Sequence, residues 1–242
     1  MSRDARIRTH VVVAVTVLLA ALALAGSMKG APPAGVVFWC VACLAGELLW
    51  FRLPLDRATV SMGACFNVAA LLVLDRGPAM IAASSSVLLA ELLVVRKPPV
   101  RAFFNAAQTA LSIAAGSLAL HLAGAGPWKL DAPRSDSRLL PILAAAVCYY
   151  VVNRGAVSIV IAASQGVSAA HAWRVNFGSR FEIPASGAVL VLGYGVAVAS
   201  ARLGIAVIPW FVLPLMIARE GYRRSVGSQP AASEEVVSPS AA

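Results

Sequence analysis

The sequence predicts an all-α fold: a polytopic integral membrane helical bundle of about eight transmembrane helices, with both termini in the cytoplasm. Three observations carry that expectation. Of the 242 residues, 60% are hydrophobic and 13% charged, whereas a soluble domain carries about 25% charged residues. The apolar residues gather into runs of about 15 to 25, the length that crosses a hydrocarbon core about 30 Å thick. Lysine and arginine also alternate in density from one connection to the next, as the positive-inside rule requires. That distribution removes another reading of the net charge of +9. The basic residues sit in small groups without interleaved aromatics, which argues against nucleic acid as a partner and for the lipid bilayer.

Eight runs follow in order: His10 to Met28, Ala34 to Trp50, Val60 to Leu74, Pro78 to Val95, Val100 to Leu122, Leu139 to Ala163, Pro184 to Ser200 and Leu203 to Ala218. The first follows MSRDARIRT and, at nineteen residues, is long for the apolar core of a cleaved signal peptide. It reads as a retained signal-anchor. The third is the shortest and is the one that reads as partly re-entrant. Between runs three and four, Asp75-Arg76-Gly77-Pro78 marks a tight reversal, and Lys97-Pro98-Pro99 forbids a continuous helix between four and five.

The connections then assign sides. Thirteen Lys and Arg fall in one alternate set, from Arg3, Arg6 and Arg8 to Arg219, Arg223 and Arg224, and six in the other. The richer side is the cytoplasmic one, which predicts a multi-pass membrane protein with both termini in the cytoplasm. On the poorer side, the stretch from Gly124 to Arg138 is the longest connection, with Trp128 placed to sit at the interface. On the richer side, Trp173, Phe177 and Phe181 recur every four residues between Ser168 and Glu182, the spacing of one face of a helix lying in the headgroup layer. Residues 1–224 therefore read as the bundle. Residues 225–242 (SVGSQPAASEEVVSPSAA) are too poor in apolar groups to bury a core and read as a disordered cytoplasmic tail.

Catalytic and metal templates find little support. Cys40 and Cys43 form a CxxC, the spacing used in disulfide exchange, but Cys65 and Cys148 lie inside other runs and supply no second exchanging pair. All four read as small packing residues. His10, His121 and His171 are too dispersed for a metal site. Ser84 to Ser86 and Gly193-Tyr194-Gly195 read as small residues that let helices approach closely. No catalytic residue, metal or cofactor is expected, and the chain reads as a non-enzyme.

The polar residues inside the runs are more telling, because an ionisable group in a bilayer is costly and marks function by default. At 1.5 Å per residue, Glu47 and Glu91 lie about 20 Å, and Arg154 about 22 Å, from the outer ends of their runs. From the inner ends, Asn67 lies about 10 Å, Asn105 about 8 Å and Gln108 about 12 Å along. Six groups from five runs thus share one layer, expected in the cytoplasmic third of the membrane. Such a layer is either interhelical glue or a ligand-binding or ion-sensing pocket. Within it Arg154 is expected to pair with Glu91, Glu47 or both, since leaving a charge unmatched costs several kcal/mol.

Residues 46 to 120 carry a resemblance. Glu47 followed by Leu53-Pro54 and Ser61, the Gly77-Pro78 turn, Arg96 with Pro98, and Phe104-Asn105-Ala106-Ala107-Gln108 resemble the MASE-like multi-span sensor regions that precede GGDEF or HD-GYP domains in bacterial cyclic-di-GMP signalling proteins. More loosely the similarity runs to Arg224. The resemblance implies an integral membrane input module. Neither a GGDEF string nor a His-Asp doublet occurs in the sequence, so synthesis or hydrolysis of cyclic-di-GMP is not expected. The expectation is a stand-alone sensing module that binds a small molecule and signals through a separate cytoplasmic protein. The alternative is a small solute transporter or its substrate-binding subunit.

Overall fold

Each long apolar run folds into a helix in the computed structural model, which describes residues 2–27, 33–52, 59–127, 139–180 and 182–227. Helix α1 spans Arg3–Ala25, α2 Pro33–Leu48, α3 Gly63–Val73, α4 Arg76–Leu89, α5 Pro99–Leu122, α6 Leu139–Gln165, α7 Ala169–Phe177, α8 Glu182–Leu203 and α9 Ile208–Gly227. A π-helical turn, Ala90–Val94, extends α4, and a single 3-10 turn, Ile205–Val207, precedes α9. Among the described residues, five helical segments are long and apolar enough to cross a membrane: α1, α4 with its π turn, α5, α6 and α8. Three shorter apolar helices, Gly35–Leu48, Gly63–Val73 and Ile205–Ile217, account for the other expected spans. Trp128, Phe181 and residues 228–242 lie outside the described residues, and α9 itself continues to Gly227.

The third run departs most from expectation. Its first two residues, Val60 and Ser61, belong to β2 (Thr59–Ser61), which pairs antiparallel with β1 (Trp50–Arg52) from the end of the second run, in the register Trp50 to Ser61 and Arg52 to Thr59. What remains is an 11-residue helix, α3, about 16 Å long and so too short for the bilayer core. Nine of its residues, Gly63 and Cys65 to Leu72, are buried. It is the hub of the bundle, packed on α2, α4, α5 and α8. That position explains its composition: no lipid-facing stripe is needed, so Phe66, Val68, Leu71 and Leu72 fill the core on all sides.

Small residues set the spacing around this hub. A Cβ added at Gly193 of α8 would stand 2.5 Å from the Cys65 main-chain oxygen and 3.2 Å from the Val68 Cβ, so α8 meets α3 backbone to backbone. Between α2 and α4, the Ser86 hydroxyl lies 2.7 Å from the Cys40 carbonyl oxygen and 2.6 Å from that of Ala82, sharing one proton between the two helices. Cys43 and Cys65 are wholly enclosed in this core. The expected reversal falls at Leu74 and Asp75, and α5 begins at Pro99, where the missing N–H costs nothing. Helix α1 leans on α5 and α6 with Val11, Val15, Leu18, Leu19 and Leu22 turned outward, the face expected of a helix bathed in lipid.

Candidate functional site

Glu47, Asn67, Glu91, Asn105, Gln108 and Arg154 all line a single cavity of about 480 Å³. Five helical segments bring them there. Asn105, Gln108 and Thr109 occupy one face of α5 through their spacing of three and four residues. Glu47 comes from the last turn of α2 and Asn67 from α3, facing Tyr149 of α6. Apolar walls are supplied by Val87, Val157, Ile161, Val189 and Leu190.

Glu91 enters from the π turn. An i to i+5 turn inserts one extra residue into the helix and is frequent at functional sites; here it carries Glu91 into the cavity wall. The turn closes on Arg96 in the left-handed region (φ 57°), with the Lys97 N–H donating to the Glu91 carbonyl at 2.8 Å, a Schellman-like ending. The Lys97 ammonium then returns to the Glu91 carboxylate. The same carboxylate accepts from Asn105 Nδ2 at 2.7 and 2.8 Å. Lysine at the head of the following connection is thereby tied to the cavity wall through main chain and side chain together.

Arg154 does not take the partner expected for it. Its guanidinium donates to Glu182 at 2.7 Å and lies 3.4 Å from Ser186 Oγ, while Ser186 donates to the same carboxylate at 3.1 Å. The Arg154 guanidinium also stacks over the Phe177 ring, 4.8 Å from its centroid. Glu91 is already engaged by Lys97 and Asn105, and Glu47 lies 3.5 Å from Asn67 Nδ2. The correction has a simple cause. Glu182 is the first residue of α8, where the partial positive charge of a helix N-terminus favours an acid, and α6 delivers Arg154 to that end.

Helix α7 completes this end of the cavity. Ser168 caps it by accepting from the His171 N–H at 3.1 Å. Its Trp173 and Phe177 rings pack edge-on at 5.9 Å, and Trp173 meets Tyr150 of α6 at 6.2 Å. The aromatic spacing thus does place two rings on one face, and that face covers α6. Asn176 and Phe177 from α7 join the cavity lining.

Besides Glu182, the sequence reading missed Tyr149, Tyr150, Asn153 and Ser186. The cluster YYVVNR in α6 was the available signal, since it puts two hydroxyls, an amide and a guanidinium within two helical turns. Two groups in the cavity stand out. The buried acceptors Asn67 Oδ1 and Gln108 Oε1 have no hydrogen-bond partner among the described residues, an exception to the rule that buried polar atoms are satisfied.

Neither a curated protein nor a solved structure matches the chain. A family model does match, from the start of α2 into α9, and by that match over residues 33–218 the chain belongs to MASE9, a family of membrane-associated sensors.

Proposed function

We propose that the protein is a ligand-sensing module that binds a small polar molecule within the membrane and hands its occupancy to a cytoplasmic signalling protein. The observation that supports this reading most is the convergence of six intramembrane polar residues on one cavity of about 480 Å³, a volume in the range of small-molecule sites. Glue between helices needs polar groups in mutual contact; it does not need them arrayed around open space. Occupancy has a route outward through α8, which opens with Glu182 in the cavity wall and leads through Gly204 into α9.

Protein reconstituted in nanodiscs and melted against a library of polar metabolites should show a raised melting temperature for one chemical class. Glu91→Gln should remove that rise. Uptake of the same compound into proteoliposomes would instead favour a transporter, and the absence of any stabilising compound would end the sensing reading.

The orientation that goes with this function places both termini and the α7 connection in the cytoplasm of a bacterial inner membrane. Reporter fusions after Arg57, Arg101, Arg180 and Arg224 are expected to report cytoplasm, and fusions between Gly124 and Arg138 the outside. An external signal after Arg101 would overturn the assignment.

A further inference from the structure

A second recess lies on the outside of the bundle, between α1 and the first turn of α5, and from its chemistry we infer that it holds one anionic phospholipid. It encloses about 680 Å³ and shares no lining residue with the central cavity. His10, Ala14, Val17 and Ala21 mark its course along α1, and Pro99, Val100 and Phe103 wall it on α5. The trough exists because Ala14 and Ala21 are short while Leu18 and Phe103 stand proud of them, 58% and 49% exposed. From His10 to Ala21 the helix rises about 16 Å, half of a hydrocarbon core about 30 Å thick and so the depth of one leaflet. An acyl chain seated there runs from headgroup level toward the midplane.

The end of the recess at His10 is basic. Arg6 and Arg3 stand one and two turns before His10 on the same face of α1, and His10 Nδ1 lies 2.7 Å from the Arg6 carbonyl oxygen. Arg101 follows Val100 in the first turn of α5, and Arg96 precedes that helix. These four arginines are exposed, and none forms an ion pair among the described residues. The neighbouring charges are turned elsewhere. Lys97 is bound to Glu91. Arg8 lies against the end of α6, its Nη2 3.7 Å from where a Cβ on Gly166 would stand, and Asp4, four residues earlier, shares the face of Arg8. A phosphate at the basic end thus meets several cations and, among the described lining residues, no acid. A zwitterionic headgroup gains less, because its ammonium faces the same cations. A second copy of the chain would bring its own arginines against these.

The test uses the full chain, delipidated in detergent and titrated with dioleoyl phosphatidylglycerol or the phosphatidylcholine of the same chains, with bound lipid counted by native mass spectrometry. One phosphatidylglycerol should bind about tenfold more tightly than phosphatidylcholine, or better. Arg6→Gln and Arg101→Gln should each weaken it about fivefold, the effect of one arginine near an anionic headgroup. Arg8→Gln, which alters a side chain outside the recess, should leave the binding unchanged. Ala14→Trp should fill the trough and lose the tight lipid while melting, lipid-free, at the temperature of the parent; should that variant not fold, Ala21→Trp serves in its place. Equal affinity for the two lipids would overturn the assignment, as would a loss at Arg8→Gln equal to that at Arg6→Gln, the mark of a diffuse basic surface. A concentration-dependent dimer abolished by Ala14→Trp would also overturn it and make a second copy the occupant. None of these readouts involves the central cavity, so the sensing reading stands or falls by its own experiment.

Discussion

Gly193→Ala is expected to lower the stability of the bundle by about 1 to 3 kcal/mol, the cost of overpacking a tight interface. The new methyl would stand 2.5 Å from a main-chain oxygen of α3, and α3 cannot retreat because α2, α4 and α5 hold it from the other sides. The expected loss already includes the gain of roughly 1 kcal/mol that alanine brings to a helix interior. Gly195, two residues along the same helix, has nothing within 4 Å of its added Cβ. There the propensity term stands alone, and Gly195→Ala should be neutral or mildly stabilising. Unfolding in mixed detergent measures both variants side by side. Equal effects at the two positions would show that α8 is free to move away from α3.

The second large effect belongs to Arg154. Removing its side chain leaves the Glu182 carboxylate, whose side chain is 14% exposed, without its cation. The expected loss for Arg154→Ala is about 2 to 3 kcal/mol, below the range of about 3 to 5 for breaking a buried pair, because Arg154 itself is 32% exposed. Adding Glu182→Gln should restore part of that loss. Adding Glu91→Gln should not, since Glu91 is held by Lys97 and Asn105. Two double-mutant cycles therefore distinguish the partners, with coupling expected for Glu182 and near additivity for Glu91. Coupling confined to the Glu91 cycle would refute the assignment.

Much of this site was legible in the sequence, and the reason is depth. The rise per residue of a helix is fixed, so distance along each run placed Glu47, Asn67, Glu91, Asn105, Gln108 and Arg154 at one level before any neighbour was known. What depth does not encode is azimuth. The pairing of Arg154 with Glu182 depends on which helix stands beside α6, and no run carries that information in its own composition. Glu182 was also passed over because it lies two residues before the seventh run, Pro184 to Ser200, and the polar layer was sought inside the runs. The hairpin of β1 and β2 was hidden for a related reason: three-residue strands are shorter than the window in which alternation can be recognised. The π turn at Glu91 leaves no compositional mark at all, since Ala90, Leu92, Leu93 and Val94 suit an ordinary helix equally well.

The shortness of α3 has a consequence for how the chain is made. Its closest large neighbour, α8, begins about 110 residues after α3 ends. A ribosome adding about 5 to 20 residues per second needs roughly 5 to 20 s to synthesise that interval. Throughout that wait, an 11-residue helix bearing Asn67 must be sheltered first by α2 and α4 and then also by α5 and α6, or held by the insertion machinery. Its final seat is available only when Gly193 arrives. The centre of the protein is thus among the last parts to be completed, and the nascent chain carries its most sensitive segment unfinished while the outer helices are already in place.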